Sequence, residues 1–207
     1  MTLSCIFQTS KIILASKNLG KLAEFKALFR DHGLDVTLEV LPKSFDLPNE
    51  TGKSYEENAA LKAVWVGKRL QAISLADDSG LEVQALSGAP GLHSARFGGA
   101  NLSDPERVRL LLESLRGVYA KHRGARFVCC LALFVPGTEG TITSEGFLDG
   151  RILEEPRGQR GFGYDPVFFV PCFGKTLAEI HPEEKNKISH RAKALKQLLE
   201  RLKVLDA

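Results

Sequence analysis

Long apolar runs are missing from this 207-residue sequence. No stretch approaches the ~20 consecutive apolar residues that a bilayer-spanning helix needs, so a protein of that kind is excluded. A surplus of one charge is missing too: 28 basic and 25 acidic side chains leave a formal net charge of only +3. That balance is too mild for a nucleic-acid-binding surface, which clusters Lys and Arg strongly. Cysteine is sparse, and Cys5, Cys129, Cys130 and Cys172 form no C-x-x-C pair, which speaks against zinc and dithiol motifs of that spacing. Reduced thiols in a core are expected, as in a cytoplasmic protein. Residues Met1–Ser10 hold neither a basic leader nor a long apolar segment, so no secretory signal is read there. The glycine-rich P-loop pattern is absent, and so are internal repeats and low-complexity tracts. Neither a membrane nor a nucleic acid is expected as a partner, and the expected location is the cytoplasm.

What is present describes an ordinary globular chain, 43% hydrophobic and 26% charged, long enough to bury a core without disulfides. Lys11–Ala15 has a strand's length and is followed by the polar turn Ser16-Lys17-Asn18. Leu22, Phe25, Leu28 and Phe29 then recur at helical spacing up to Gly33. Val36–Leu41 reads as a strand, and Pro42–Lys53 as a loop. Ser54-x-x-Glu57 has the form of a capping box opening a helix to about Leu70. Ile73–Ala76 and Leu81–Leu86 read as two short strands separated by Asp77-Asp78-Ser79-Gly80, with a glycine-rich loop over Ser87–Asn101. A helix starts at Ser103. Arg126–Val135 and Thr141–Phe147 read as an antiparallel hairpin across Pro136-Gly137. Val167–Val170 is a short strand, and a last helix runs from about Ser189 to Val204. The expected fold class is α/β, with a mixed sheet flanked by helices.

Several stretches carry candidate chemistry, each with a plainer alternative. Ser16-Lys17-Asn18-x-x-Lys21 stands between a strand and a helix N-terminus, where free N–H groups receive a phosphate well; it also fits a solvated, Asn-capped turn. Asp77-Asp78 places adjacent carboxylates at a strand end, which a divalent cation would relieve, and one of them could activate a water; an Asx-type turn is the other reading. His190 and Arg191 oppose the dipole of the helix they begin, which an anion would explain, with Lys185 and Lys187 nearby. Solvated basic residues would explain it equally. Gly161-Phe162-Gly163-Tyr164-Asp165-Pro166 offers aromatic rings on a glycine loop that a planar base could approach, or simply an aromatic-anchored loop. Ser94-Ala-Arg96 is a weaker phosphate candidate.

Together these stretches resemble the inosine triphosphate pyrophosphatase (dITP/XTP pyrophosphatase) family. The resemblance runs from Lys11 to about Leu202. It rests on Ser16-Lys-Asn-Leu-Gly-Lys21-x-x-Glu24, Glu56-Glu-Asn-Ala-x-x-Lys62-Ala63, Ala76-Asp-Asp-Ser-Gly80, Gly88-Ala-Pro-Gly91, Ser94-Ala-Arg96, Gly161-Phe-Gly-Tyr-Asp-Pro166 and Ile188-Ser-His-Arg191 in the family's order. It implies a long, curved mixed sheet, with two lobes around a central cleft making one domain over residues 11–207 after an extension at 1–10, and a homodimer. It implies Mg²⁺-dependent hydrolysis of dITP, ITP and XTP, purine nucleoside triphosphates, to the monophosphate and pyrophosphate. Asp78 matches the family's catalytic carboxylate, which also contacts the metal, and Ser79 a substrate contact. Ser16, Lys17, Asn18, Leu19, Gly20 and Lys21 match the triphosphate-binding turn. Phe162, Gly163, Tyr164 and Asp165 match the base-binding loop, with Phe162 stacking on the purine. Lys185, His190 and Arg191 match basic and base-reading contacts. Many members carry an acid that contacts the metal where this chain has Asn49; either Glu50 supplies that contact beside Asp78, or the metal relies on Asp78, Asp77 and water. A pyrophosphatase for pyrimidine or methylated nucleotides and a non-catalytic nucleotide-binding protein are the alternatives.

Overall fold

The computed structural model describes Ile6 and residues 11–205. Ile6 apart, the extension expected over residues 1–10 lies outside the described residues, as does Cys5. In chain order the elements are β1 (Lys11–Leu14), α1 (Leu19–Asp31), β2 (Thr37–Val40), α2 (Tyr55–Leu70), β3 (Ile73–Val83) and α3 (Asp104–Ser114). There follow β4 (Gly124–Phe134), β5 (Ile142–Ile152), β6 (Phe168–Val170), β7 (Lys175–Thr176), α4 (Pro182–Ile188) and α5 (His190–Leu205). The strands run in the order β2-β1-β3-β4-β5-β6-β7. β1 pairs in parallel with β2 and β3, whereas β6 pairs antiparallel with β5 and β7. The sheet is therefore mixed, and the fold is α/β as expected.

The chain divides into two compact units. The first takes Met1–Asp78, Cys129–Gly146 and His190–Ala207, and the second Ser79–Val128 and Phe147–Ser189. In the first unit the period-2 alternation of strand side chains makes two cores. Ile12, Leu14, Leu75, Cys129 and Leu131 pack with Phe25 and Phe29 of α1 and with Leu195 and Leu198 of α5. Ile13, Ala76, Cys130 and Ala132 face Ala59, Ala63 and Val66 of α2. Strands buried on both faces read as continuous apolar runs, which is why Ile12-Ile13-Leu14 shows no alternation. In the second unit Leu81 and Val83 pack with Val108, Leu111 and Leu115 of α3 and with Phe127 and Phe168, whose ring centroids are 4.6 Å apart.

Several elements depart from the sequence expectation. β3 runs unbroken from Ile73 to Val83, through Asp77-Asp78-Ser79-Gly80; the carboxylates need no turn because buried cations neutralise them within the strand. Leu81–Leu86 is the end of this strand plus a 3₁₀ turn at Gln84–Leu86. The loop after it contains a second 3₁₀ turn, Gly91–Arg96. β5 continues to Ile152 because Arg151 and Ile152 pair with Phe169 and Phe168, a long-range partnership with no local signature. α4 precedes α5 and was not expected; Ser189 is extended and separates the two. Cys129 and Cys130 are free and buried, but Cys172 is exposed and so is no core thiol.

The approach of α5 to β5 depends on Gly146. A methyl group there would overlap the His190 carbonyl oxygen and the Ala194 amide nitrogen of α5. Backbone on both sides cannot rotate away as a side chain could, so overpacking costs at this position fall at the upper end of their range. Gly146→Ala is expected to lower unfolding free energy by about 2–3 kcal/mol in urea titrations, and wild-type stability would show that α5 shifts freely.

Candidate functional site

The pleat of β3 turns Asp77 and Asp78 to opposite faces of the strand, and each meets its own cations. Asp77 is completely buried, and its Oδ2 accepts from Nε of Arg191 at 2.8 Å and lies 3.1 Å from Nζ of Lys21. Its Oδ1 accepts from the Cys129 thiol at 3.5 Å. Nη1 of Arg191 also donates to Oε2 of Glu24 at 3.1 Å. Burial opposes the charge on Arg191, but the Asp77 and Glu24 carboxylates outweigh it and push its pKa above the ordinary value. For Lys21 burial wins and lowers the pKa, with Asp77 offsetting only part of the effect.

On the other face, Oδ1 of Asp78 accepts from Nζ of Lys62 at 2.6 Å, and Oε1 of Glu50 accepts from the same nitrogen at 2.9 Å. Lys62 also donates to the Asp77 carbonyl at 3.2 Å, which Lys21 reaches at 3.3 Å. Burial raises the pKa of Asp78 despite the neighbouring Lys62 charge. Burial would depress Lys62, but Asp78 and then Glu50 hold it above its ordinary value. Lys62 reaches this point because it stands in the buried stripe Ala59-Lys62-Ala63-Val66 of α2, the i, i+3, i+4, i+7 pattern of a core-facing helix. The segment carrying Glu50 is tied to the start of that helix, where Gly52 N–H donates to Asn58 Oδ1 at 2.8 Å and Lys53 N–H to Glu57 Oε2 at 2.6 Å. Asn49, in contrast, is exposed. By formal charge, the carboxylates of Glu24, Glu50, Asp77 and Asp78 outnumber the cations Lys21, Lys62 and Arg191 in this cluster by one. Among the described residues no three His, Cys, Asp or Glu side chains gather as a metal-ligand group.

The turn from Ser16 to Lys21 joins β1 to α1. Asn18 is the N-cap, its Oδ1 accepting from the Lys21 N–H at 3.0 Å, while Ser16 Oγ accepts from the Asn18 N–H at 3.1 Å. The first turn of α1 holds no acidic residue, and Leu19 is exposed. Lys17 extends its ammonium to the Lys43 carbonyl at 2.8 Å.

In the second unit, Gly161 and Gly163 adopt positive φ of 78° and 61° around Phe162, a backbone that favours glycine. Oδ2 of Asp165 accepts from the Phe162 N–H at 3.0 Å and from Lys185 Nζ at 2.7 Å. Lys185 stands 5.3 Å from the Phe162 ring centroid. Tyr164 is buried and donates to the Ser94 carbonyl at 2.9 Å; burial raises its phenol pKa. Ser94 Oγ also accepts from the Leu81 N–H, and Arg96 is exposed.

The first unit contains Ser16–Lys21, Glu50, Asp78, His190 and Arg191, and the second contains Ser79, Phe162–Asp165 and Lys185. His190 and Ser79 lie in α5 and β3, the former buried and the latter half-buried. Lys62 and Glu24 join the cluster without a role expected from the sequence. Their signal is a charge inside an apolar helical stripe: Lys62 between Ala59 and Ala63, Glu24 beside Phe25.

Asp77 and Asp78 separate by stability. Asp77→Asn is expected to cost about 3 kcal/mol or more in denaturant unfolding, because Lys21 and Arg191 lose their buried partner. Asp78→Asn is expected to cost much less, since Lys62 retains Glu50. Equal losses from the two variants would contradict this division.

Comparison with known proteins follows the same lines. Residues 12–201 match the Ham1 family. The chain is 51% identical to the dITP/XTP pyrophosphatase of Geobacillus kaustophilus over 91% of its own length and 92% of the relative. It is 46% identical to that of Bacillus subtilis over 90% and 93%. The solved Ham1 protein of Staphylococcus aureus superposes with a TM-score of 0.78 at 40% identity, covering 94% of this chain and 98% of that one. The nucleoside-triphosphatase / dITP/XTP pyrophosphatase of Mycobacterium abscessus superposes with a TM-score of 0.70 at 42% identity, covering 93% and 99%. Sequence, fold and length agree, and the chain belongs to the Ham1 family.

Proposed function

We propose that this protein hydrolyses the non-standard purine nucleoside triphosphates dITP, ITP and XTP to the nucleoside monophosphate and pyrophosphate, keeping them out of DNA and RNA. The observation that carries the proposal is 51% identity to a dITP/XTP pyrophosphatase over nearly the whole of both chains. The geometry around Asp78 supports it chemically. A carboxylate whose pKa burial raises is a stronger base toward water than an ordinary one, and Lys62 fixes its direction at 2.6 Å.

In the proposed reaction a water held by Asp78 attacks the α-phosphorus, and the bond from that phosphorus to the bridging oxygen breaks as pyrophosphate leaves. The Ser16–Lys21 turn receives the triphosphate: the N-terminus of α1, with no acid in its first turn, directs its dipole and free N–H groups at negative charge. Ser16, Lys17, Asn18, Leu19, Gly20 and Lys21 form that subsite, and Ser79 adds a contact. Phe162 stacks on the base, with Gly163, Tyr164 and Asp165 shaping the loop. Lys185, His190 and Arg191 supply basic and base-reading contacts, and selectivity comes from hydrogen bonds at the 6-keto edge. A 6-amino purine would leave donors unpaired, which discriminates by orders of magnitude.

Mg²⁺ fits the donor set. Asp78 and Glu50 present hard oxygens converging on one cationic nitrogen, in a cluster whose carboxylates formally outnumber its cations, and Mg²⁺ characteristically takes one or two carboxylates together with substrate phosphates. Asp78 and Glu50 would hold it, and when bound it supplies charge neutralisation on the leaving phosphates. The proposed homodimer rests on the family resemblance, and the proposed cytoplasmic location on the cysteine usage and composition of the sequence; among the described residues no helix is long and apolar enough to cross a membrane.

Pyrophosphate release from dITP, XTP, dGTP and dTTP, with and without Mg²⁺, tests the proposal. Mg²⁺-dependent release strongly favouring dITP and XTP is expected, and Asp78→Asn is expected to reduce it by at least about 10³-fold. Preference for dTTP would reassign the substrate to pyrimidines, and no release from folded, nucleotide-binding protein would sink the catalytic reading.

A further inference from the structure

The loop Gly161–Asp165 is held from two directions, and one hold comes from a residue outside every stretch with an assigned role. Oδ2 of Asp104, the first residue of α3, accepts from the Gly163 backbone N–H at 2.7 Å across 59 residues of sequence. An acid at this place in a helix would ordinarily help cap it. Here the cap is already complete: the Ser103 N–H and hydroxyl both donate to Glu106 Oε2, at 2.7 and 2.5 Å, in a full capping box. The Asp104 carboxylate is therefore available for a distant partner.

It is also aimed. Nη1 of Arg107, a buried guanidinium, donates to Asp104 Oδ1 at 3.2 Å, while Nη2 donates to the Leu102 carbonyl at 2.8 Å. One oxygen of the carboxylate is pinned by Arg107 and the other is left for Gly163. Packing does not perform this task, because the α3 side of the loop borders a cavity of about 550 Å³ lined in part by Pro105, Val108, Leu112, Phe162 and Gly163. With open space on that side, a charge-assisted hydrogen bond fixes the backbone next to Phe162.

We infer that Asp104, oriented by Arg107, is a positioning residue for base recognition, clamping the backbone at Gly163 so that the Phe162 ring is presented in one orientation. The inference rests on the proposed role of Phe162 as the base-stacking residue. Asp104 touches no reacting atom and acts only through the loop. Its removal loosens the stacking face and leaves the chemical step alone.

Asp104→Ala, Asp104→Asn and Glu106→Ala, compared with wild type, test it through steady-state kinetics on dITP and dGTP and through amide hydrogen exchange at Gly163. Asp104→Ala is expected to raise KM for dITP about five- to tenfold with kcat within about twofold, the pattern of lost binding. It should also narrow the dITP-to-dGTP preference and speed exchange of the Gly163 amide. Asp104→Asn keeps an acceptor oxygen and is expected to restore most of both. Glu106→Ala removes the cap of the same helix and is expected to lower stability while leaving KM and Gly163 exchange unchanged. An Asp104→Ala enzyme with wild-type KM and wild-type Gly163 protection overturns the inference, as does a Glu106→Ala enzyme that reproduces the KM effect. Faster Gly163 exchange with no change in KM or base preference overturns it too. If wild-type protein releases no pyrophosphate from either substrate, the functional reading fails first, and that outcome is distinct because it precedes any variant.

Discussion

Two neighbouring carboxylates inside an interior strand of a sheet would each carry a desolvation cost of several kcal/mol without a partner. β3 tolerates the pair because its pleat sends them to opposite faces and a different helix meets each. Lys21 from α1 and Arg191 from α5 neutralise Asp77, and Lys62 from α2 neutralises Asp78. This single constraint ranks the surrounding elements. Three helices far apart in sequence must each deliver one cation to the same two residues of one strand. The apolar packing around Phe25, Val66 and Leu195 gives the helices their affinity for the sheet. The ion pairs specify where along the sheet each comes to rest.

The same arrangement divides labour between adjacent residues of like chemistry. Asp77 has no solvent exposure, and Arg191, Lys21 and Cys129 occupy its oxygens; its part is to hold the frame. Asp78 retains some exposure and shares its one cation with the half-buried Glu50. The role proposed for Asp78 calls for a partner that can be shared, and Lys62 is such a partner. Arg107 plays a comparable role beside Asp104, where a buried cation directs an acid instead of cancelling it.

Much of this is legible in the sequence, and the parts that are not have identifiable causes. Helices α1, α2, α3 and α5 are readable because their apolar residues keep helical spacing and because Ser54 and Ser103 mark two starts. β1, β4 and β6 are readable as short apolar runs. The continuity of β3 is not, since Asp77-Asp78-Ser79-Gly80 has the local composition of a turn, and the cations that let it stay a strand lie up to 114 positions away. The last residues of β5, Arg151 and Ile152, and the two-residue β7 both pair with β6, a partnership that local sequence does not announce. For the site, the carboxylates and the glycine–aromatic loop stand out by residue type. Lys62 does not, because a lysine on a helix ordinarily reads as solvated, and only its place between Ala59 and Ala63 marks it as buried. Asp104 is harder still, since a cap is the sufficient local explanation for any acid at the start of a helix.

The division of the chain bears on how the protein emerges from a ribosome. The second unit, Ser79–Val128 with Phe147–Ser189, lies wholly upstream of α5, whereas the first unit is assembled from three separate segments, the last beginning at His190. Synthesis therefore delivers everything the second unit needs while the first still lacks the helix that supplies Arg191. Until that helix leaves the exit tunnel, Asp77 has only part of its neutralising charge and one of the two cores is open along the groove that Leu195 and Leu198 fill. The Asp78 neighbourhood has no such wait, since Lys62 and Glu50 precede it in the chain, and the two faces of β3 are therefore neutralised at different times.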